Sequence, residues 1–65
     1  MSQQYKPRTA ASQLVRDQAR TQIIEAIDAA KVGDWKRAEQ ALSHAQSLLE
    51  DAKGIDAAAT IRRLQ

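Results

Sequence analysis

The chain has no cysteine and no phenylalanine, and only one tryptophan, one tyrosine, one proline, two glycines and one histidine. Without cysteine there can be no disulfide and no thiolate metal site, which fits a reducing compartment. A single histidine, His44, leaves a zinc site short of ligands, and no set of carboxylates is spaced to complete one. With Tyr5 and Trp35 as the only aromatics, the chain lacks the stacking residues of a nucleic-acid platform, and no recognition-helix pattern replaces them. Long apolar runs are also missing. Ile23-Ile24 and Ala57-Ala58-Ala59 fall far short of the ~20 residues of a membrane span. Met1-Ser2-Gln3-Gln4 shows no apolar stretch of the signal-peptide kind, so the expectation is a cytoplasmic protein.

What the 65 residues do have is alanine and charge. A chain this short supports one domain, and such a domain is marginal alone because roughly 60% of its surface is all it can bury. Alanine has the highest helix propensity but buries little area. An alanine-rich core therefore permits close helix packing for little energy per residue, and part of the stability is expected to come from association. The net charge is +2. Lys6, Arg8, Arg16 and Arg20 make the N-terminal third basic, and Arg62-Arg63 lie near a helix C-terminus, where cations are favoured.

Residues 1–8 read as a flexible basic arm and residues 9–65 as a single helical domain. Thr9 is a suitable N-cap, with Ser12 a later option. Ala11, Val15, Ala19, Ile23, Ala26, Ile27 and Ala30 then recur at helical spacing, giving a first helix over about 10–31. Val32-Gly33-Asp34 ends it: Gly33 suits the left-handed position after a helix, and Asp34 can cap the next one. The second helix, about 35–53, carries Trp35, Ala38, Leu42, Ala45, Leu49 and Ala52 at alternating spacings of three and four, a seam toward helix one. Ala41 and Leu48 widen that stripe, so a further surface should cover their flank. Lys53-Gly54-Ile55 has the composition of a second helix stop, with Asp56 as cap of a short third helix over about 57–64 bearing Ile61 and Leu64. The expected fold is all-α: an antiparallel helical hairpin with a short third helix, self-associating.

Candidate chemistry is thin. His44 lies off the seam, and its helical neighbours Gln40, Ala41, Ser47 and Leu48 include no acid to fix a tautomer. Glu50 and Asp51 are adjacent and point about 100° apart, so they do not form a dyad. Ser43 and Ser47 sit near His44, but no oxyanion donor accompanies them. No catalytic, cofactor or metal residue is assigned, and the chain reads as a non-enzyme. Trp35, opening helix two, suits either a core anchor of the hairpin or an interface hot spot.

The stretch Ala19-Arg20, Ile23-Ile24-Glu25-Ala26-Ile27, Ala29-Ala30, Gly33-Asp34-Trp35, Ala38, Ala45, Ala52 resembles the first hairpin of the lactose/cellobiose-type IIA proteins of the sugar phosphotransferase system. It covers residues 19–52. The resemblance implies a helical carrier fold, but the family's phosphoryl-accepting histidine is replaced by Lys53, and its following Gln-Thr by Asp56 and Ala57. A lysine amine, protonated at neutral pH, cannot serve as that carrier. The family's long third helix has no room in residues 55–65.

The leading expectation is therefore a protein–protein interaction module, a small regulator, inhibitor or co-chaperone. It would bind a larger protein through Trp35, Ala41, Leu42, Leu48, Leu49, Ile61 and Leu64, and form a homo-oligomer. A degenerate IIA-like carrier lacking its histidine is one alternative. An accessory nucleic-acid binder using the basic arm is the other.

Overall fold

The computed structural model describes residues 9–64, with side chains through Arg62. Two helices make up the fold, α1 over Ala10–Lys31 and α2 over Trp35–Leu64. They pack side by side as an antiparallel hairpin. The basic arm expected over residues 1–8 lies outside the described residues.

Both ends of α1 follow from local chemistry. The Thr9 hydroxyl accepts from the Ser12 amide at 3.0 Å, which satisfies one of the free donors at the helix start. At the other end the Gly33 amide donates to the Ala30 carbonyl and the Asp34 amide to the Ala29 carbonyl, at 3.0 and 2.9 Å. These two bonds form a Schellman motif, and it requires the left-handed backbone that Gly33 adopts at φ +77°. The Asp34 carboxylate then accepts from the Arg37 amide at 3.3 Å and caps α2. A single glycine and a single aspartate thus reverse the chain.

The contact between the helices is made of alanine. Ala26 and Ala29 of α1 meet Ala38 and Ala41 of α2, with Ala30 packed alongside. Ala19, Ala45 and Ala52 are buried farther along. In phase, the seam runs through Ser12, Val15, Ala19, Gln22, Ala26 and Ala29 on α1. On α2 it runs through Ala38, Ala41, Ala45, Leu48, Ala52 and Ile55, and every one of these positions is buried or half-buried. Spacings of three and four alternate without a break on both helices, the signature of a coiled-coil seam. Ser12, Ala19 and Ala26, and again Ala38, Ala45 and Ala52, place a small residue at every seventh position. Small residues there let the two backbones approach closely.

Two expectations are corrected. The α2 seam was expected to include Trp35, Leu42 and Leu49, with Ala41 and Leu48 on its flank. Instead Ala41 and Leu48 face α1, while Trp35, Leu42 and Leu49 are exposed. Ile23 and Ile27 of α1 are likewise exposed rather than packed. Alanine holds the positions of closest contact, Val15, Leu48 and Ile55 fill other seam positions half-buried, and Trp35, Leu42, Leu49, Ile23 and Ile27 stand beside the seam. Trp35 is consequently no core anchor.

The second correction is the third helix. α2 runs without interruption through Gly54, which keeps a helical backbone; among the described residues only Gly33 has positive φ. The Thr60 hydroxyl donates to the Asp56 carbonyl at 3.0 Å, as in an unbroken helix. Asp56 is not a cap of its own helix, because its carboxylate is engaged with α1.

The two glycines therefore respond oppositely to a methyl group. A Cβ at Gly54 meets nothing within 4 Å, and alanine there should stabilise the protein by ~0.5–1 kcal/mol. Gly33→Ala should destabilise by ~1–2 kcal/mol because of its left-handed backbone. Thermal melts followed by circular dichroism check this. Destabilisation by Gly54→Ala would show a helix stop at that residue.

Candidate interaction surface

The helical phase that buries the alanines divides what remains into two flanks. One contains Glu25 of α1 and Arg37, His44 and Asp51 of α2. It is polar, and the Arg37 guanidinium meets the Glu25 carboxylate there at 3.4 Å, both well exposed. Such a surface pair contributes little.

The opposite flank is apolar. Ile23 and Ile27 of α1 stand beside Trp35, Leu42 and Leu49 of α2, at exposures of 38, 51, 63, 49 and 37% respectively. Trp35, Leu42 and Leu49 recur at every seventh residue, so they form one stripe along α2. Arg20, Glu39 and Gln46, all exposed, border it. Among the described residues the buried apolar ones are all alanine, whereas Leu14, Ile24, Val32 and Ile61, like the five flank residues, are exposed. The usual order of a small domain, large side chains inside and alanine anywhere, is inverted.

Beyond Leu49 the apolar flank ends in a polar clamp that fastens the open end of the hairpin. The Arg16 guanidinium donates to Asp56 Oδ2 at 2.7 Å, and the Thr9 amide donates to Asp56 Oδ1 at 3.3 Å. Asp56 thus reaches from α2 to the N-terminus of α1, where a carboxylate is favoured by the free amides and the helix dipole. The Ser12 hydroxyl, which also reaches the Thr9 carbonyl at 3.2 Å, adds to the cluster. Hydrogen bonding from Ser12, then from Arg16 and Thr9, holds the Asp56 carboxyl below the ordinary carboxylate value of 3.8, against the opposing effect of its partial burial. The cluster leaves one cost, a buried Arg16 Nε without a partner, which the charge-assisted bond to Asp56 offsets.

The residues expected to bind a partner are thus separated. Trp35, Leu42 and Leu49 share the apolar flank. Ala41 and Leu48 lie in the seam. Ile61 is exposed near the far end of α2, and the side chain of Leu64 lies outside the described residues. Ile23 and Ile27 belong to the surface, although their spacing from Ala19 and Ala30 placed them with the core. The sevenfold repeat of small residues was the signal that would have set the phase. Lys53, which stands where the phosphotransferase histidine would be, is exposed, its ammonium 3.9 Å from the Glu50 carboxylate. His44 is exposed on the polar flank. Among the described residues no group of three or more potential metal ligands occurs, and no helix is long and apolar enough to cross a membrane. No family model, curated protein or solved structure matches the chain.

The clamp has a pH signature. A depressed folded-state pKa contributes stability that is full above the unfolded value and is lost as the pH falls through the folded value. Asp56→Asn should therefore melt lower than wild type at neutral pH. The difference between the two should fade as the pH falls through the ordinary carboxylate value of 3.8 and below it. Parallel melts across that range check it. A difference independent of pH would mean that the carboxylate charge contributes nothing.

Proposed function

We propose that this protein is a non-enzymatic interaction module that binds a larger protein through the apolar flank formed by Ile23, Ile27, Trp35, Leu42 and Leu49. One observation carries the reading: five large apolar side chains stand exposed outside the buried alanines, and the helical phase puts them on one flank. Together these five side chains expose on the order of 500 Å² of apolar surface, at the upper end of what a monomer leaves uncovered. Their make-up, a tryptophan and branched aliphatics with a charged rim, is that of a hot-spot cluster. The stripe they form runs along two helices, which suits a partner helix laid along it. Small regulators, inhibitors and co-chaperones work through such surfaces. The polar flank and His44 take no part.

The test is a charge placed on the stripe. Leu42→Arg alters an exposed side chain and should leave helicity unchanged, yet it should abolish stoichiometric co-purification of the partner from the native host. His44→Ala should retain it. If His44→Ala abolishes binding or activity in the host while Leu42→Arg is silent, the interaction reading fails and a chemical role for the histidine returns.

A further inference from the structure

We infer that, when no larger partner is bound, a second copy of this chain occupies the apolar flank, with the two hairpins packed antiparallel about a two-fold axis through Leu42. This rests on the reading of the flank as a binding surface and names its first occupant. Three observations lead to it.

The first is the amount of surface. A single hairpin is one layer thick, with a smallest extent of 13 Å, so nothing within the described chain covers the flank. The five apolar residues with their rim of Arg20, Glu39 and Gln46 approach the roughly 800 Å² per partner of a standard stable interface. A second copy would complete a four-helix bundle, the arrangement that buries the outer stripe of a two-helix unit.

The second is self-complementarity, which a two-fold interface demands of a single patch. Trp35 and Leu49 lie seven residues to either side of Leu42, or about 10 Å along the helix. Reversal about Leu42 therefore lays Trp35 of one copy over Leu49 of the other. Ala26, Ala29, Ala38 and Ala41 form one cluster, which in an antiparallel pair sets Glu25 near the level of Leu42. Ile23 and Ile27 flank that level by two residues each, so the same reversal exchanges them. One axis thus serves both helices.

The third is what faces each end of the stripe. The reversal sets Glu39 close to the level of Gln46 of the second copy, and gives each Leu49 an apolar partner in the other copy's Trp35. The parallel alternative sets Leu49 beside the second copy's Arg16 and Arg20. It leaves that end of the stripe without an apolar partner.

The chain has no cysteine, so single cysteines test the arrangement in this chain. Sedimentation equilibrium at micromolar concentration should return twice the 7.2 kDa of one chain. Under mild oxidation Leu42→Cys should cross-link to itself much faster than His44→Cys on the polar flank. Trp35→Cys should not self-link, because reversal places the two copies of that position ~20 Å apart. A mixture of Trp35→Cys and Leu49→Cys should form the mixed disulfide. A folded wild-type monomer, or equal cross-linking of Leu42→Cys and His44→Cys, overturns the proposal. Rapid self-linking of Trp35→Cys overturns the antiparallel arrangement. None of these results bears on capture of a larger partner, which fails separately if Leu42→Arg leaves that capture intact.

Discussion

Contact between alanine methyl groups along two helix backbones governs the arrangement of everything else in this protein. Ala29 and Ala52 are completely buried, and Ala19, Ala26, Ala38, Ala41 and Ala45 nearly so. Each methyl contributes only about 0.8 kcal/mol by transfer. Their importance is geometric: they hold the positions of closest contact, and Val15, Leu48 and Ile55 fill the seam positions between them half-buried. Trp35, Leu42, Leu49, Ile23 and Ile27 stand beside that seam. The two sides differ: polar residues pair across one, as Arg37 does with Glu25, and apolar residues collect on the other. The binding flank is a consequence of the core, produced by the same helical phase.

A core this thin needs its ends fastened. At the turn, the Schellman motif at Gly33 and the Asp34 cap hold the helices in register. At the open end, Asp56 binds Arg16 and the start of α1. The alanines hold the distance, and these two terminal devices hold the alignment. A surface that projects five large side chains depends on both, since a slip of one residue would turn the stripe about 100° away.

Much of this was legible in the residues themselves. Thr9, Gly33 and Asp34 act as their types and neighbours indicate, because caps are local and obey rules of a few residues. The hairpin and its antiparallel sense follow directly from them. Lys53-Gly54-Ile55-Asp56 carries the same local signals and misleads, because Asp56 is recruited by Arg16, forty residues away. The seam misled for a related reason. Leu42 and Leu49 are larger than Ala41 and Ala45, and hydrophobicity alone places the larger residues inside. The regular recurrence of Ser12, Ala19 and Ala26, and of Ala38, Ala45 and Ala52, identifies the packed face by size instead. The partition of Trp35, Leu42, Leu49, Ile23 and Ile27 onto one flank becomes visible only once that phase is known.

The measurement that bears most directly on the alanine contact is the thermal stability of Ala45→Leu. Ala45 is 2% exposed, and a leucine there would have to part the helices. The cost should be about 1–3 kcal/mol, or a fall in melting temperature on the order of 4–8 °C for each kcal/mol in a domain of this size. An unchanged or raised melting temperature would mean that the space beside Ala45 is open. The large residues, not the alanines, would then form the contact between the helices.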